Sequence, residues 1–294
     1  MRYDGIYPPI PTPFTADGEV ALDKLVGNLA QWNQTGIAGY VVLGSNGEFV
    51  FLGEKEKLEV IATVREHAAR GKFVFAGTGC DGTIETVRLT KKAAEQGADA
   101  AVIITPSYYR GSMNAAALLY HYETVADASP IPLFLYNMPA NTGVDMSADV
   151  VVKLAQHPNI VGIKDSSGNV VKLGDVLRQV DPSFHVIAGS ASFLYPALCL
   201  GAVGGVLALA NVAPRECVRL FELTRAGQHA EAAELQRRLI PANQAVTATF
   251  GIAGLKAALD MVGLHGGAVR GPLRPLGEQQ TTALRGILAA AGLL

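Results

Sequence analysis

Cysteine is scarce in this sequence of 294 residues. The three cysteines stand at positions 80, 199 and 217, and no two of them form a Cys-x-x-Cys pair. A framework of disulfides, as small secreted proteins use, is therefore not expected, and an odd number of cysteines points the same way. We expect free thiols in a reducing compartment and predict a cytoplasmic location.

The chain also lacks an excess of charge of either sign. Its 24 Lys and Arg nearly balance its 26 Asp and Glu, which leaves a formal net charge of -2. This balance gives no electrostatic reason to expect nucleic acid or an anionic membrane as a partner. The first residues, Met1 to Gly5, contain no apolar run after Arg2, so we expect no signal peptide.

The motifs of common metal and nucleotide sites are missing or incomplete. The six histidines form no His-x-His or His-Glu-x-x-His pattern, which argues against a zinc-dependent aldolase, and no Walker A lysine motif occurs. Gly77 to Gly82 do match Gly-x-Gly-x-x-Gly. A dinucleotide site also needs an acidic residue where the next strand ends, and Ile104-Thr105-Pro106 offers none. We therefore interpret this segment as a tight loop and predict no cofactor.

One long run of the sequence carries no Asp, Glu, Lys or Arg. It lies between Asp181 and Arg215. A membrane span is the alternative for such a run, but a span needs about 20 mostly apolar residues in one helix. Glycines, serines and Pro196 interrupt this run. We therefore predict a buried strand, a helix and a second strand.

Eight short apolar runs recur along the chain with helical patterns between them. The clearest helical pattern places Leu22, Leu25, Leu29 and Trp32 on one face. Apolar strands that alternate with helices predict a parallel sheet covered on both faces. The eight runs are residues 6–10, 40–43, 73–76, 101–104, 132–136, 160–163, 185–188 and 205–208.

This order of elements predicts an α/β fold, a (β/α)₈ TIM barrel, since eight units in about 210 residues match its usual length. An open doubly wound sheet is the alternative, but it would need a glycine fingerprint where Pro11-Thr12-Pro13-Phe14 stands. After about Pro214, helix-forming residues replace the apolar strands. We predict that residues 1–226 form the barrel with the active site and that residues 227–294 form a small C-terminal helical domain.

The most unusual residue at a strand end is Lys164, which directly follows the apolar run from Asn159 to Ile163. Active sites of such barrels lie where strands end, and a buried lysine there is either used or paired. A used lysine is a nucleophile, because a neutral amine attacks a carbonyl carbon and forms a Schiff base. A paired lysine would contact Asp165. Tyr136 ends the preceding strand, where it either transfers protons or packs in the core.

Two loops after predicted strands also carry candidate residues. In the segment from Gly44 to Glu48, two glycines flank Ser45 and Asn46, and such a turn can present backbone N–H groups to a carboxylate or phosphate. An ordinary capping loop is the alternative. Tyr108, Tyr109 and Arg110 follow the fourth strand. An aromatic pair at that place predicts a contact with a ligand, with another subunit or with the barrel itself.

Three segments together resemble the dihydrodipicolinate synthase and N-acetylneuraminate lyase family. They are Gly44 to Glu48, Tyr136 to Gly143 and Gly162 to Gly168, which stand in the order and spacing of that family. The resemblance extends over essentially the whole chain. It implies a (β/α)₈ barrel of the class I, pyruvate-handling lyases, with no metal, usually assembled as a homotetramer that is a dimer of dimers.

The resemblance also implies roles for individual residues. Lys164 matches the Schiff-base lysine, and Tyr136 matches the tyrosine that shuttles protons. Ser45 matches the hydroxyl between that tyrosine and a second one, which Tyr108 matches and which the synthases take from the neighbouring subunit. The N–H groups of Ser45 and Asn46 match the backbone groups that bind the pyruvate carboxylate in the family. Substrate contacts are further expected from Asn141, Ser166, Gly189 and Arg110.

The expected substrate depends on Asn141, which stands where the synthases have an arginine that holds a carboxylate. Through Asn141 and the Ser45-Asn46 loop, the sequence resembles 4-hydroxy-2-oxoglutarate aldolase, which yields pyruvate and glyoxylate, more closely than it resembles the synthases. Arg110 is a second possible source of positive charge. The alternatives are 4-hydroxy-tetrahydrodipicolinate synthase, which condenses pyruvate with aspartate semialdehyde, and an aldolase or dehydratase of 2-keto-3-deoxy sugar acids. A non-catalytic oxo-acid binding protein is an alternative of another class, although it would need no nucleophile.

Overall fold

Eight parallel strands form the centre of the molecule. The computed structural model describes residues 3–294. Within them, from the second strand to the eighth, each strand pairs with the next one along the chain, and the eighth pairs with the first. Ala38 N–H donates to Ile6 C=O at 2.8 Å, and Val41 N–H donates to Pro8 C=O at 3.0 Å. These bonds join the second strand to the first and close the ring, so the predicted (β/α)₈ TIM barrel is confirmed.

The strands lie close to the eight apolar runs of the sequence. Six of them have four to six residues, and the first and the eighth have three. The first strand is short because Pro8 and Pro9 follow it and lack the N–H that a ladder needs. The strands are β1 (Gly5–Tyr7), β2 (Gly39–Val42), β3 (Phe73–Gly77), β4 (Ala100–Ile104), β5 (Leu133–Asn137), β6 (Ile160–Asp165), β7 (His185–Ala188) and β8 (Gly204–Val206).

Aromatic side chains fill the interior of the barrel. The rings of Tyr7 and Phe75 meet edge to face at 4.9 Å, and Phe75 meets Phe134 at 5.3 Å. Tyr3 closes the group against Phe134 at 5.0 Å. All four residues are buried. The amino-terminal part of the barrel is therefore a packed core and not a pore, and the space for chemistry lies at the other end.

Nine helices of the described chain surround the barrel. In the first of them Leu25, Leu29 and Trp32 are buried, as the apolar face in the sequence predicts. The helices are α1 (Leu22–Trp32), α2 (Glu54–His67), α3 (Thr83–Glu95), α4 (Ala115–Ala128), α5 (Pro139–Thr142), α6 (Ala148–Leu154), α7 (Val170–Leu177), α8 (Leu194–Leu200) and α9 (Pro214–Arg225).

Three further helices follow, α10 (His229–Gln244), α11 (Gly251–Met261) and α12 (Glu278–Ala290). The first of these lies against the turn after β7. The Gln236 amide donates to Ala191 C=O at 2.7 Å, and the Asn243 amide donates to Ser190 Oγ at 2.9 Å. Apolar residues of these helices join the same core cluster as the barrel helices. The division into domains at residues 226 and 227 stays a prediction.

The uncharged run between Asp181 and Arg215 forms β7, α8 and β8. This agrees with the predicted strand, helix and strand. No helix between residues 3 and 294 has both the length and the apolar character that crossing a bilayer requires.

Candidate active site

A cavity of about 310 Å³ opens at the carboxyl ends of the strands. Lys164, Tyr136, Ser45 and Asn141 all line it, so the structure brings together four residues that the sequence predicts for the site. Lys164 comes from β6, Tyr136 from β5, Ser45 from the turn after β2 and Asn141 from the short helix α5. Since barrels of this type place their chemistry at this end, this cavity is the candidate active site.

Lys164 lies on β6 with only 4% of its surface exposed. Its neighbour across the ladder is Tyr136 on β5, and the lysine Nζ stands 3.7 Å from the centre of the tyrosine ring. The face of an aromatic ring attracts an ammonium group. No carboxylate in residues 3–294 forms an ion pair with this amine. The amine therefore reaches the cavity beside a phenol.

The alternative of a structural ion pair between Lys164 and Asp165 is wrong. Successive side chains of a strand point to opposite faces of the sheet, so the side chains of Lys164 and Asp165 point away from each other. Asp165 Oδ2 lies 3.0 Å from Lys172 Nζ and accepts the Asn137 amide at 2.9 Å. Its Oδ1 accepts the Ser167 N–H at 2.8 Å. These contacts hold Asp165 outside the barrel interior, behind the lysine of the cavity.

Tyr136 has a hydroxyl prepared for proton transfer. It lies 3.4 Å from Ser45 Oγ. Burial alone raises the pKa of a tyrosine, but the charge of Lys164 and the polar groups of Ser45, Lys164 and Ser166 nearby outweigh it, so the pKa of Tyr136 is lowered from its usual 10.0. A phenol made more acidic by its neighbours gives up and takes back a proton more readily.

The segment after β2 forms a 3₁₀ turn, Ser45–Gly47, as the glycines around it predict. Leu43 and Glu48 on either side have positive φ angles of 58° and 55°. Such backbone is uncommon for these residues and persists only where the surroundings enforce it. Thr12 Oγ1 supports the turn by donating to Gly47 C=O at 2.8 Å. The first N–H groups of such a turn, those of Ser45 and Asn46, have no partner inside it.

Several cavity residues were missed by the sequence analysis. Thr105 directly follows β4, so the strand-end rule was a signal that would have found it. Its Oγ1 donates to Thr142 Oγ1 at 3.2 Å, and both line the cavity. Ile252 and Leu273 also line it from the C-terminal part of the chain. No local pattern marks them, because only the tertiary fold brings them there.

Ser166 and Gly189 stand at the ends of β6 and β7, next to each other. Ser166 Oγ donates to Gly189 C=O at 3.3 Å. A Cβ at position 189 would lie 1.9 Å from that Oγ, so the close approach requires glycine. Neither is among the residues that line the cavity. Their contact with a substrate stays a prediction.

Tyr108 and Arg110 lie on the loop after β4 and outside the cavity of their own chain. Asp81 Oδ1 fixes this loop by accepting Ser107 N–H at 2.6 Å and Tyr108 N–H at 3.0 Å. Tyr108 and Tyr109 are 78% and 72% exposed. Arg110 is exposed as well and packs against Gly143. The roles assigned to Tyr108 and Arg110 stay predictions.

The Gly-x-Gly-x-x-Gly pattern has a packing reason. A Cβ on Gly77 would lie 2.2 Å from Leu43 C=O, and a Cβ on Gly79 would lie 2.6 Å from Ile104 N. Both glycines therefore allow close contacts at the barrel mouth. In residues 3–294, no three His, Cys, Asp or Glu side chains are grouped as metal ligands would be.

Comparison with known proteins finds a family model and relatives that match nearly the whole chain. The model of the dihydrodipicolinate synthetase family matches residues 2–291. A 4-hydroxy-tetrahydrodipicolinate synthase of Methanothrix thermoacetophila is 38% identical over 287 residues, which cover 97% of this chain and 96% of the relative. A probable mitochondrial 4-hydroxy-2-oxoglutarate aldolase of Emericella nidulans is 37% identical over 287 residues, with coverages of 96% and 92%.

Solved structures of synthases are also similar to this chain. The dihydrodipicolinate synthase of Acinetobacter baumannii, in complex with pyruvate, has a TM-score of 0.94 to this chain at 33% identity, over 99% of each chain. The relatives thus share one fold but carry two different names for their reactions.

Proposed function

This chain belongs to the dihydrodipicolinate synthetase family, and within it we propose a class I aldolase that cleaves 4-hydroxy-2-oxoglutarate to pyruvate and glyoxylate. The protein is an enzyme of the lyase class, as its relatives are. One observation carries the proposal: a buried lysine amine on the cavity wall, 3.7 Å from the ring centre of a tyrosine whose pKa is lowered.

The proposed reaction begins with the amine of Lys164. Its nitrogen attacks C2 of the oxo acid and gives a carbinolamine, which loses water to form a protonated imine. Tyr136 donates the proton with which the C2 oxygen leaves as water, and Ser45 is the group with which the tyrosine exchanges that proton. The substrate carboxylate binds at the turn Ser45–Gly47, where the N–H groups of Ser45 and Asn46 face it.

Cleavage follows from the charge of the imine. The C4 hydroxyl loses its proton to the Tyr136 phenolate, the bond between C3 and C4 breaks, and its electron pair moves into the protonated imine to give an enamine. The C4 fragment leaves as glyoxylate. The enamine then takes a proton at C3, and water adds at C2 to release pyruvate and the free lysine amine. The balance needs no oxidant, and we propose that no metal or other cofactor takes part.

The choice of substrate rests on Asn141. This residue lines the cavity and is neutral, and its amide N–H groups can donate to the distal carboxylate of 4-hydroxy-2-oxoglutarate. The similarity to the aldolase of Emericella nidulans supports this choice. Condensation of pyruvate with aspartate semialdehyde is the second candidate, since a synthase is similar to the same extent.

Trapping tests the covalent step. Pyruvate with sodium borohydride should add one reduced pyruvyl group per chain, on Lys164, and Lys164→Ala should abolish the labelling. Lys153, exposed on α6, supplies the matched control, because Lys153→Ala should label like the parent. Activity should also survive an excess of a chelator. Labelling at another residue, or labelling that persists in Lys164→Ala, would contradict the mechanism.

The ratio of two kcat/KM values tests the substrate. We expect cleavage of 4-hydroxy-2-oxoglutarate to exceed condensation with aspartate semialdehyde by about tenfold or more, which corresponds to a difference of about 1.4 kcal/mol or more in transition-state stabilisation. Asn141→Arg should shift this ratio towards condensation. A parent enzyme that prefers aspartate semialdehyde would leave the synthase as the function.

A further inference from the structure

A buried ion pair lies directly behind the turn of the active site. Glu48 follows the turn Ser45–Gly47, lines the cavity and is 1% exposed, and Lys256 of α11 is equally buried. Glu48 Oε1 lies 2.5 Å from Lys256 Nζ. The two residues are separated by 208 positions of sequence (256 − 48), so the contact joins the catalytic end of the barrel to the C-terminal helices.

Further contacts fix both members of the pair. Lys256 Nζ donates to Ala268 C=O at 2.6 Å and stands 4.4 Å from the centre of the Phe14 ring. Glu48 Oε2 accepts the backbone N–H of Arg270 at 2.8 Å. Burial lowers the pKa of Lys256, while Glu48 acts in the opposite direction. A buried pair with its remaining donors and acceptors occupied is fixed in one geometry.

Arg270 ties a second loop to the same place. Its guanidinium donates to Phe51 C=O at 2.8 Å and to both oxygens of Glu56 at 2.9 and 2.7 Å, and it also contacts Gly18 C=O. Phe51 belongs to the 3₁₀ turn Phe49–Phe51 that follows Glu48. The backbone on the C-terminal side of Glu48 is therefore held by this arginine, and the carboxylate of Glu48 by Lys256.

The charge of Glu48 matters because of where it lies. Glu48 is one of the residues that line the cavity, and its carboxylate lies buried behind the cavity wall, against Lys256. The proposed substrate places another carboxylate in that cavity. Like charges repel, and the repulsion is strong where water is excluded. A cation in direct contact with Glu48 cancels that repulsion, and this explains why a lysine stem is buried at this position when it makes no contact with the cavity itself.

We propose that Lys256 and Arg270 are positioning residues for the turn Ser45–Gly47: Lys256 balances the charge of Glu48, and Arg270 holds the backbone that follows it, so that the turn binds the carboxylate of the oxo acid. This proposal rests on the proposed function, because it assumes that the oxo acid binds at that turn. Neither residue touches the reacting atoms. The C-terminal helices thereby contribute to pyruvate binding through Glu48, in addition to covering the cavity with Ile252.

The proposal is tested by removing each charge of the pair in turn and comparing how the two substitutions change pyruvate binding. The readout is the pyruvate concentration that half-saturates borohydride trapping on Lys164, which needs no second substrate. Lys256→Met leaves a bare carboxylate at the cavity and should raise this concentration by about tenfold or more. Glu48→Gln leaves a cation there and should keep the concentration within about threefold of the parent, or lower it. A purely structural pair predicts that both variants weaken pyruvate binding.

The double variant Glu48→Gln/Lys256→Met restores neutrality and should return the half-saturating concentration to within about threefold of the parent. The matched control is Arg65→Met, which breaks the 3.0 Å ion pair of Arg65 with Asp99 at the amino end of β4 and should change nothing in trapping. Melting curves of all variants separate unfolding from weak binding.

Should Lys256→Met fail to fold, Glu48→Gln and the double variant decide, since a tenfold loss of pyruvate binding in either folded variant contradicts the proposal. Parental binding by a folded Lys256→Met contradicts it equally. A parent chain that captures no pyruvate at all would instead contradict the proposed function, so the two failures are distinguishable.

Discussion

Tyr136 obtains its chemistry from the residues around it and not from its own type. A buried tyrosine ordinarily becomes a weaker acid, as happens at Tyr122 on α4, whose pKa burial raises. At Tyr136 the charge of Lys164 and the hydroxyl of Ser45 reverse the direction of the shift. The same side chain thus serves as a packing residue in one place and as a proton carrier in the other.

The contrast predicts how activity depends on this phenol. Tyr136→Phe should lower kcat/KM by about 10²–10⁴-fold, because general acid–base catalysis contributes that much. In the parent enzyme, activity should fall on the alkaline side at a pH below 10, since the pKa of Tyr136 is lowered from 10.0. Steady-state rates over a range of pH would measure both effects.

Tyr122→Phe supplies the control for this experiment. Its hydroxyl donates to Ile103 C=O at 3.1 Å, away from the cavity, so the variant should lose about 1 kcal/mol of stability and keep the parental pH profile. Equal pH profiles for Tyr136→Phe and the parent would show that another group transfers the proton.

Single residues differ in how well the sequence predicts them. Lys164 and Tyr136 could be found because each ends an apolar strand, and the order of strands fixes where their ends meet. The partner of Asp165 could not be found in this way. It is Lys172, seven positions away, and only the direction of each side chain on the strand decides that Lys164 is not the partner.

At the scale of elements, α3 and α4 meet through a buried histidine. His121 of α4 lies with its Nδ1 2.9 Å from Thr83 Oγ1 at the start of α3. Burial lowers the pKa of His121 from 6.5 to about 4, although Asp81 acts in the opposite direction. The imidazole is therefore neutral in the folded protein at neutral pH, and it packs against the Tyr122 ring at 5.2 Å.

This histidine should make stability depend on pH. Its pKa in the folded state, about 4, lies below the unfolded value of 6.5, so the unfolded chain binds the extra proton between these values. Stability from His121 is present above pH 6.5 and is lost as the pH falls towards 4, by up to about 3 kcal/mol. Urea unfolding at several pH values would measure the slope, and His121→Gln should reduce it.

His67→Gln is the matched substitution, because that histidine is exposed at the end of α2. It should leave the slope between pH 4 and pH 6.5 as in the parent. A slope that survives in His121→Gln would assign the pH dependence to other groups.

The elements themselves were largely predictable, and their irregularities were not. The spacing of apolar residues and the length of apolar runs predict the strands and the buried faces of the helices, because burial on a pleated sheet or on a helix requires those patterns. The left-handed backbone at Leu43 and Glu48 follows no such pattern. The contacts around Glu48 come from residues distant in sequence, since Thr12 binds Gly47 C=O and Lys256 and Arg270 bind the Glu48 carboxylate.

At the scale of the molecule, the active site is not confined to the barrel. The cavity takes wall residues from the C-terminal part of the chain, Ile252 and Leu273, and Lys256 contacts Glu48, which directly follows the turn Ser45–Gly47. The sequence predicts the C-terminal helices from their composition. It does not predict which side of the barrel they cover, since contacts between residues so far apart leave no local pattern.

An exposed pair of tyrosines indicates a contact with a second chain. Tyr108 and Tyr109 stand exposed on the rim of the barrel, ring to ring at 4.9 Å, and the loop that carries them is fixed by Asp81. Ordered and exposed aromatic rings are typical of a surface that meets a partner. The resemblance assigns Tyr108 to the cavity of a neighbouring subunit, and in its own chain this residue does not line the cavity.

We therefore expect at least a dimer in solution, with Tyr108 of one protomer near Tyr136 of its partner. Tyr108→Phe should lower kcat by about tenfold or more, through loss of a proton-transferring hydroxyl, and leave the melting temperature unchanged. Tyr109→Phe, on the neighbouring exposed ring, should keep parental activity. Light scattering with assays over a range of protein concentrations would test the assembly, because dissociated chains should lose activity together with their partner's tyrosine. A fully active monomer would show that each chain completes its own site.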